Sequence, residues 1–142
     1  MTDASLKEFG LRTTRELLES AAKAIRKTAT SPDHEAVHKM RVSIRRFQQA
    51  LRLFRQFLRR KGVDSVRAEL RAIMVEAGNL RNHDIALSLA GNHRSVSKYL
   101  TEQRKLAEAK VAAALAVVAG AWLAERWKEE LGLSADDVEK AQ

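Results

Sequence analysis

The chain has 142 residues, enough for one domain with a real core, and is 45% hydrophobic, 31% charged and free of cysteine. Those figures exclude a disulfide framework and a thiolate metal site. They also exclude a membrane-spanning helix, because the longest charge-free run, residues 111–124, is 14 residues long, where a span needs about 20. The net charge is +8 and it is concentrated: residues 38–61 carry nine Lys and Arg and no acid, leaving 17 basic against 18 acidic residues elsewhere. A polyanionic partner is the natural expectation. The opening stretch MTDASLKEFG has no apolar signal core, which together with the absence of cysteine points to the cytoplasm.

In chain order, Ser5 with Glu8 reads as a capping box that opens a helix to about Ala29, with Leu11, Leu18, Ala22, Ile25 and Ala29 facing inward. Ser31 followed by Pro32 reads as an N-cap with proline at the first helical position. It predicts a second helix running to about Arg60 and closed by Gly62. Asp64 caps a third, whose apolar positions include Val66, Leu70, Ile73 and Ala77; Gly78-Asn79 interrupts it, and Asn82 caps a short helix through Ala90. After a GNHRS loop, Ser95 or Ser97 starts a fourth helix reaching about Leu131, bent near Gly120 and ended by Gly132. The expected architecture is all-α: an antiparallel four-helix bundle over residues 1–132, with an acidic tail, 133–142, open to fraying.

The second helix carries two faces. Val37, Met40, Ile44, Phe47, Leu51, Phe54 and Leu58 step by three and four, an apolar seam for neighbouring helices. One residue along, His38, Arg41, Arg45, Gln48, Arg52, Arg55 and Arg59 repeat the spacing as a cationic stripe, about 30 Å long at 1.5 Å per residue. Lys39, Arg46 and Arg60 widen it. Solvated helices mix both signs, because like charges at i,i+4 repel. A row of cations without one anion is therefore expected to meet an external polyanion, and arginine's planar guanidinium suits phosphate.

Within the same helix, His34-Glu35-Ala36-Val37-His38 fits the H-E-x-x-H zinc pattern. Arg41 stands where the extended pattern needs glycine, and Ile44 where it needs a third histidine. Glu69 or Glu76 as a third ligand sits in no recognisable motif, and the stripe's guanidinium groups would oppose a divalent ion. The match is read as coincidence: no metal, no cofactor and no catalytic residue are assigned. His38 is instead read as a phosphate donor, better when protonated. His34 lies in the first helical turn, where free N–H groups favour anions.

The stretch AVHKMRVSIRRFQQALRLF, residues 36–54, resembles the CHAD family, the conserved-histidine α-helical domains. A second feature, EAGNLRNHDIAL at 76–87, is similar to the family's Leu-Gly-x-x-Arg-Asp-x-Asp stretch: Gly78, Arg81 and Asp84 match, and Asn82 stands where aspartate is usual. The resemblance implies a helical domain that binds inorganic polyphosphate through a basic surface without catalysis. Carried onto this chain, it assigns binding to His38, Arg41, Arg45 and Arg46, with Arg52 and Arg55 beyond. Lys39 and Arg59 are added from the stripe itself. His34, Arg81, Asp84, Arg104 and Lys105 are expected at the rim or in structural roles, with Arg81 and Asp84 as an ion pair at a helix junction. Family members usually contain two such halves and this chain has one. It therefore resembles one half of a CHAD domain, and a homodimer is expected to complete the surface. The alanine-rich run 111–124 would let helices approach closely, and Trp122 and Trp127 fall on different faces, so one is available for the interface. The expected role is that of a cytoplasmic, polyphosphate-granule-associated binding protein. The alternative is a nucleic-acid binder using the same stripe, with the zinc enzyme a distant third.

Overall fold

The computed structural model describes residues 2–120 and 122–141, with side chains as far as residue 139; Met1, Ala121 and Gln142 lie outside the described residues. Among the described residues six α-helices follow one another: α1 (Asp3–Thr30), α2 (His34–Leu53), α3 (Arg60–Ala90), α4 (Arg94–Val118), α5 (Leu123–Leu131) and α6 (Ala135–Ala141). A short 3-10 turn, Arg55–Phe57, separates α2 from α3. The described residues contain no strand and no single helix long and apolar enough to cross a membrane.

The inward faces of α1 and α2 are those expected from period alone: Leu11, Leu18, Ala22 and Ile25 are buried on α1, and Val37, Met40, Ile44, Phe47 and Leu51 on α2. The starts of these helices differ from expectation. Thr2, not Ser5, caps α1, accepting from the Ser5 amide at 3.1 Å. Asp33, not Ser31, caps α2, accepting from the Ala36 amide at 2.8 Å. Ser31 is instead the last residue capping α1.

The largest departure is the end of α2. The sequence after Leu53 stays helix-friendly, yet the helix stops there. Phe54 and Leu58 are both buried, and burying them requires the chain to turn back on the core. The Arg59 amide then donates to the Leu131 carbonyl at 3.2 Å, anchoring the turn to α5. Gly62 is no terminator. It lies within α3, where an added Cβ would overlap the Glu130 carbonyl, so glycine is required for close approach. Asp64 is accordingly inside the helix, and α3 runs through Gly78-Asn79 and Asn82 without a break. A helix-interior glycine costs about 1 kcal/mol, which the burial of Ala77 and Leu80 beside it outweighs.

The break after α4 falls near Gly120 as expected, and α5 departs from α4's direction by 61°. Gly132 ends α5 in the left-handed conformation, φ 76°. Beyond it, where fraying was expected, Leu133 and Val138 are buried and join the core. α1 packs on α2 and α3 on α4, with α2 against α3 and α5 against both α1 and α3. Trp127 is fully buried, 5.7 Å from the Phe47 ring; Trp122 is 75% exposed.

Candidate anion-binding groove

His34, His38, Arg41, Arg45 and Arg52 of α2 face α3, and the two helices run in opposite directions there. Early α2 meets late α3 in a groove of about 630 Å³ lined by His34, Val37, His38, Arg41, Arg81, Asp84, Ile85 and Ser88. Later α2 meets early α3 in a second opening of about 270 Å³ lined by Arg45, Gln48, Gln49, Arg52, Arg67 and Arg71. Six arginines and two histidines thus line one flank. Among the described residues, none of those six arginines is in an ion pair.

Arg41 is the most constrained of them. Its Nε is buried without a hydrogen-bond partner. Burial pushes its pKa down, and the charges of Arg45 and Arg81 push the same way. The guanidinium stays protonated regardless, so these effects mark a cation held in an unfavourable field that a bound anion would relieve.

Among the described residues one carboxylate lines the groove, and it is already engaged. Asp84 accepts from Arg104 at 2.5 Å and sits 3.1 Å from His34 Nδ1; Arg104 also reaches Glu108 at 2.7 Å. Burial pushes the Asp84 carboxyl up, but the hydrogen bonds and charges of Arg104 and His34 prevail and hold it below its ordinary range. The bond to Asp84 raises Arg104 in turn. The expected Arg81–Asp84 pair is therefore not formed. Asp84 ties α2 and α3 to α4, which leaves Arg81 facing the groove without an acid.

Other expected site residues lie elsewhere. Lys39 pairs with Glu35 at 3.0 Å and lines a separate groove between α1 and α2. Arg46, two turns further along, shares that side of the helix and is exposed. Arg55 is exposed in the 3-10 turn, beyond the end of the helix. Arg59 donates to the Glu129 carbonyl at 3.0 Å and approaches Asp137 at 3.8 Å, so it fastens the C-terminal helices. Lys105 is exposed on α4 and lines neither opening. The 30 Å stripe is thus cut at Leu53, and the part that remains is joined from α3 by Arg67 and Arg71 beside Arg45 and Arg52, and by Arg81 beside Arg41. The sequence did hold a signal for these three: 67, 71, 74, 78 and 81 step by four and three. Only the pairing of α2 with α3 gives that spacing meaning. As for the H-E-x-x-H pattern, its His34 is held by Asp84, and among the described residues no group of three or more His, Asp or Glu is placed to hold a metal ion.

An all-helical domain with an open, arginine-lined groove between two of its helices is the class that fold and site define. The CHAD domain model matches residues 12–141, so the chain belongs to the CHAD domain family, which is associated with polyphosphate binding. No curated protein and no solved structure matches the chain.

Proposed function

We propose that this protein binds inorganic polyphosphate along the α2–α3 flank and makes or breaks no bond in it. The observation that bears most on this reading is the charge balance of the groove: Arg41, Arg45, Arg52, Arg67, Arg71 and Arg81 face it with no carboxylate partner. Folding brings these like charges together at a cost that a phosphate chain would remove, each guanidinium donating to non-bridging oxygens in a bidentate way. His38 and His34 add donors at one end.

A nucleic-acid backbone is also a line of phosphates, and both ligands would show steep salt dependence through counterion release. Single-strand binders add aromatic side chains on which bases stack. Among the described residues no aromatic side chain lines either opening, and Phe47 is fully buried. Competition separates the two: duplex or single-stranded DNA at equal phosphate concentration should leave long-chain polyphosphate bound. Displacement by DNA would overturn the reading.

The same proposal takes the molecule as half of an assembly, with antiparallel long helices α1–α4 resembling one half of a two-half CHAD domain. On α4, Val96, Tyr99, Leu106, Ala113 and Val117 are exposed at heptad-like spacing, and Trp122 follows them. That seam, rather than Trp127, is the surface offered to a second copy. Light scattering should give twice the chain mass, and Leu106→Glu should return it to the chain mass; a monomer at all concentrations removes the dimer from the proposal. The cytoplasm, at polyphosphate granules, is where this reading places the protein.

A further inference from the structure

The α2–α3 flank contains two arginine clusters, and what lies between them is informative. Arg41 and Arg81 belong to the first opening and Arg45, Arg52, Arg67 and Arg71 to the second. On α2 the clusters meet at consecutive turns, Arg41 and Arg45. On α3 they are separated by the stretch from Arg71 to Arg81, about 15 Å of helix. The positions sharing that face in between are Met74 and Gly78, three and seven residues after Arg71.

Gly78 has no reason to be glycine within this chain. It sits in the interior of a 31-residue helix with an ordinary backbone, and a Cβ built there would meet nothing within 4 Å. Gly62 on the same helix is the counter-example, since its Cβ would collide with the Glu130 carbonyl. The helix bears the propensity cost of Gly78 and gains no internal contact from it. Gly78 thus leaves open space on the face between the two clusters, with the half-buried Met74 one turn before it. Beyond the first cluster the groove reaches Asp84, whose carboxylate would repel a phosphate chain continuing past it.

We propose that the two clusters are subsites of one trough and that the trough discriminates chain length. A linear phosphate chain long enough to cross Gly78 engages both clusters, while tripolyphosphate fills one at a time. This rests on the polyphosphate reading above. When the second cluster captures a chain already held by the first, the event is intramolecular, and such linkage raises affinity by about 10²–10⁴ without any new kind of contact. A uniform positive field would behave differently: affinity would climb smoothly with phosphate number, and removing any arginine would weaken short and long chains alike.

The test is calorimetric titration of the full chain with tripolyphosphate and with a chain of tens of phosphates. The variants are Arg67→Ala/Arg71→Ala and Gly78→Leu, each checked for an unchanged helical signal. Gly78→Leu improves helix propensity and points into open space, so it is expected to fold. The wild type should take two tripolyphosphates per chain and bind the long chain at least tenfold tighter. Arg67→Ala/Arg71→Ala should take one tripolyphosphate, with affinity within about twofold of wild type, and lose at least tenfold on the long chain. Gly78→Leu should keep both tripolyphosphate sites and lose the long-chain advantage. An unchanged ratio of long-chain to short-chain affinity in both variants would overturn the two-subsite trough while leaving polyphosphate binding intact. Failure of both ligands to bind the wild type would overturn the polyphosphate reading and the trough with it.

Discussion

Two flanks of this molecule use the same cations in opposite ways. Near the C-terminal helices three cations are held by partners: Arg126 grips Glu69 with two bonds of 2.8 Å, Lys128 reaches Glu19 at 2.7 Å, and Arg59 holds the Glu129 carbonyl at 3.0 Å. Glu69 also accepts from the Trp127 indole at 3.2 Å, and the Arg126 bond foremost holds its carboxyl below the ordinary range. Among the described residues that line the two α2–α3 openings, six are arginines and one is an acid, Asp84, already taken by Arg104 and His34. The first arrangement holds helices together. The second leaves charge exposed to whatever arrives. A count of arginines along the sequence cannot separate the two, because the distinction lies in which carboxylates the fold delivers.

Variants can break the comparison. The largest expected effect belongs to neither flank: Phe47→Ala opens a cavity beside Trp127 and should cost about 3–5 kcal/mol in urea unfolding. Next is Arg104→Ala, which strips the short partner from a half-buried Asp84; about 1–3 kcal/mol is expected. That pair also gives a pH signature. The Asp84 carboxyl lies below its ordinary 3.8, so its contribution is complete above that value and is lost as pH falls through the lower folded value. Melting temperature should therefore drop on acidification, and Arg104→Ala should flatten that drop.

Arg126→Ala comes third. Its side chain is 41% exposed, so solvent screening limits the loss to about 1 kcal/mol. Smallest is Arg81→Ala, which removes a cation with no acid beside it. Stability should change by less than about 0.5 kcal/mol, in the direction of a gain, because repulsion with Arg41 disappears. If Arg81→Ala proved as destabilising as Arg126→Ala, the contrast between the flanks would fail.

Much of this was legible in the sequence, for identifiable reasons. The period of α2 exposes its apolar seam, and its cationic row only as far as Leu53; Arg55 and Arg59 fall beyond the helix, and Lys39 and Arg46 on its other side. The residues 36–54 and 76–87 motifs carried the family. Three features were not legible, and all are tertiary. α2 stops at Leu53 with no proline or glycine, because burying Phe54 and Leu58 overrides local propensity. Gly62 and Gly78 both look like punctuation, yet one is a packing contact and the other interrupts nothing. Arg67, Arg71 and Arg81 acquire a place in the groove only once α3 lies against α2. For the same reason Arg59, part of the stripe by spacing, ends up with the C-terminal helices.

The most direct test uses two double variants that remove equal charge. Long-chain polyphosphate affinity would be measured at one ionic strength for Arg41→Ala/Arg81→Ala and for Arg59→Ala/Arg126→Ala. The account predicts a loss of about tenfold or more in the first pair, from two charge-assisted contacts, and retention within about twofold in the second. Equal losses in both would mean that the net field, and not the α2–α3 groove, does the binding.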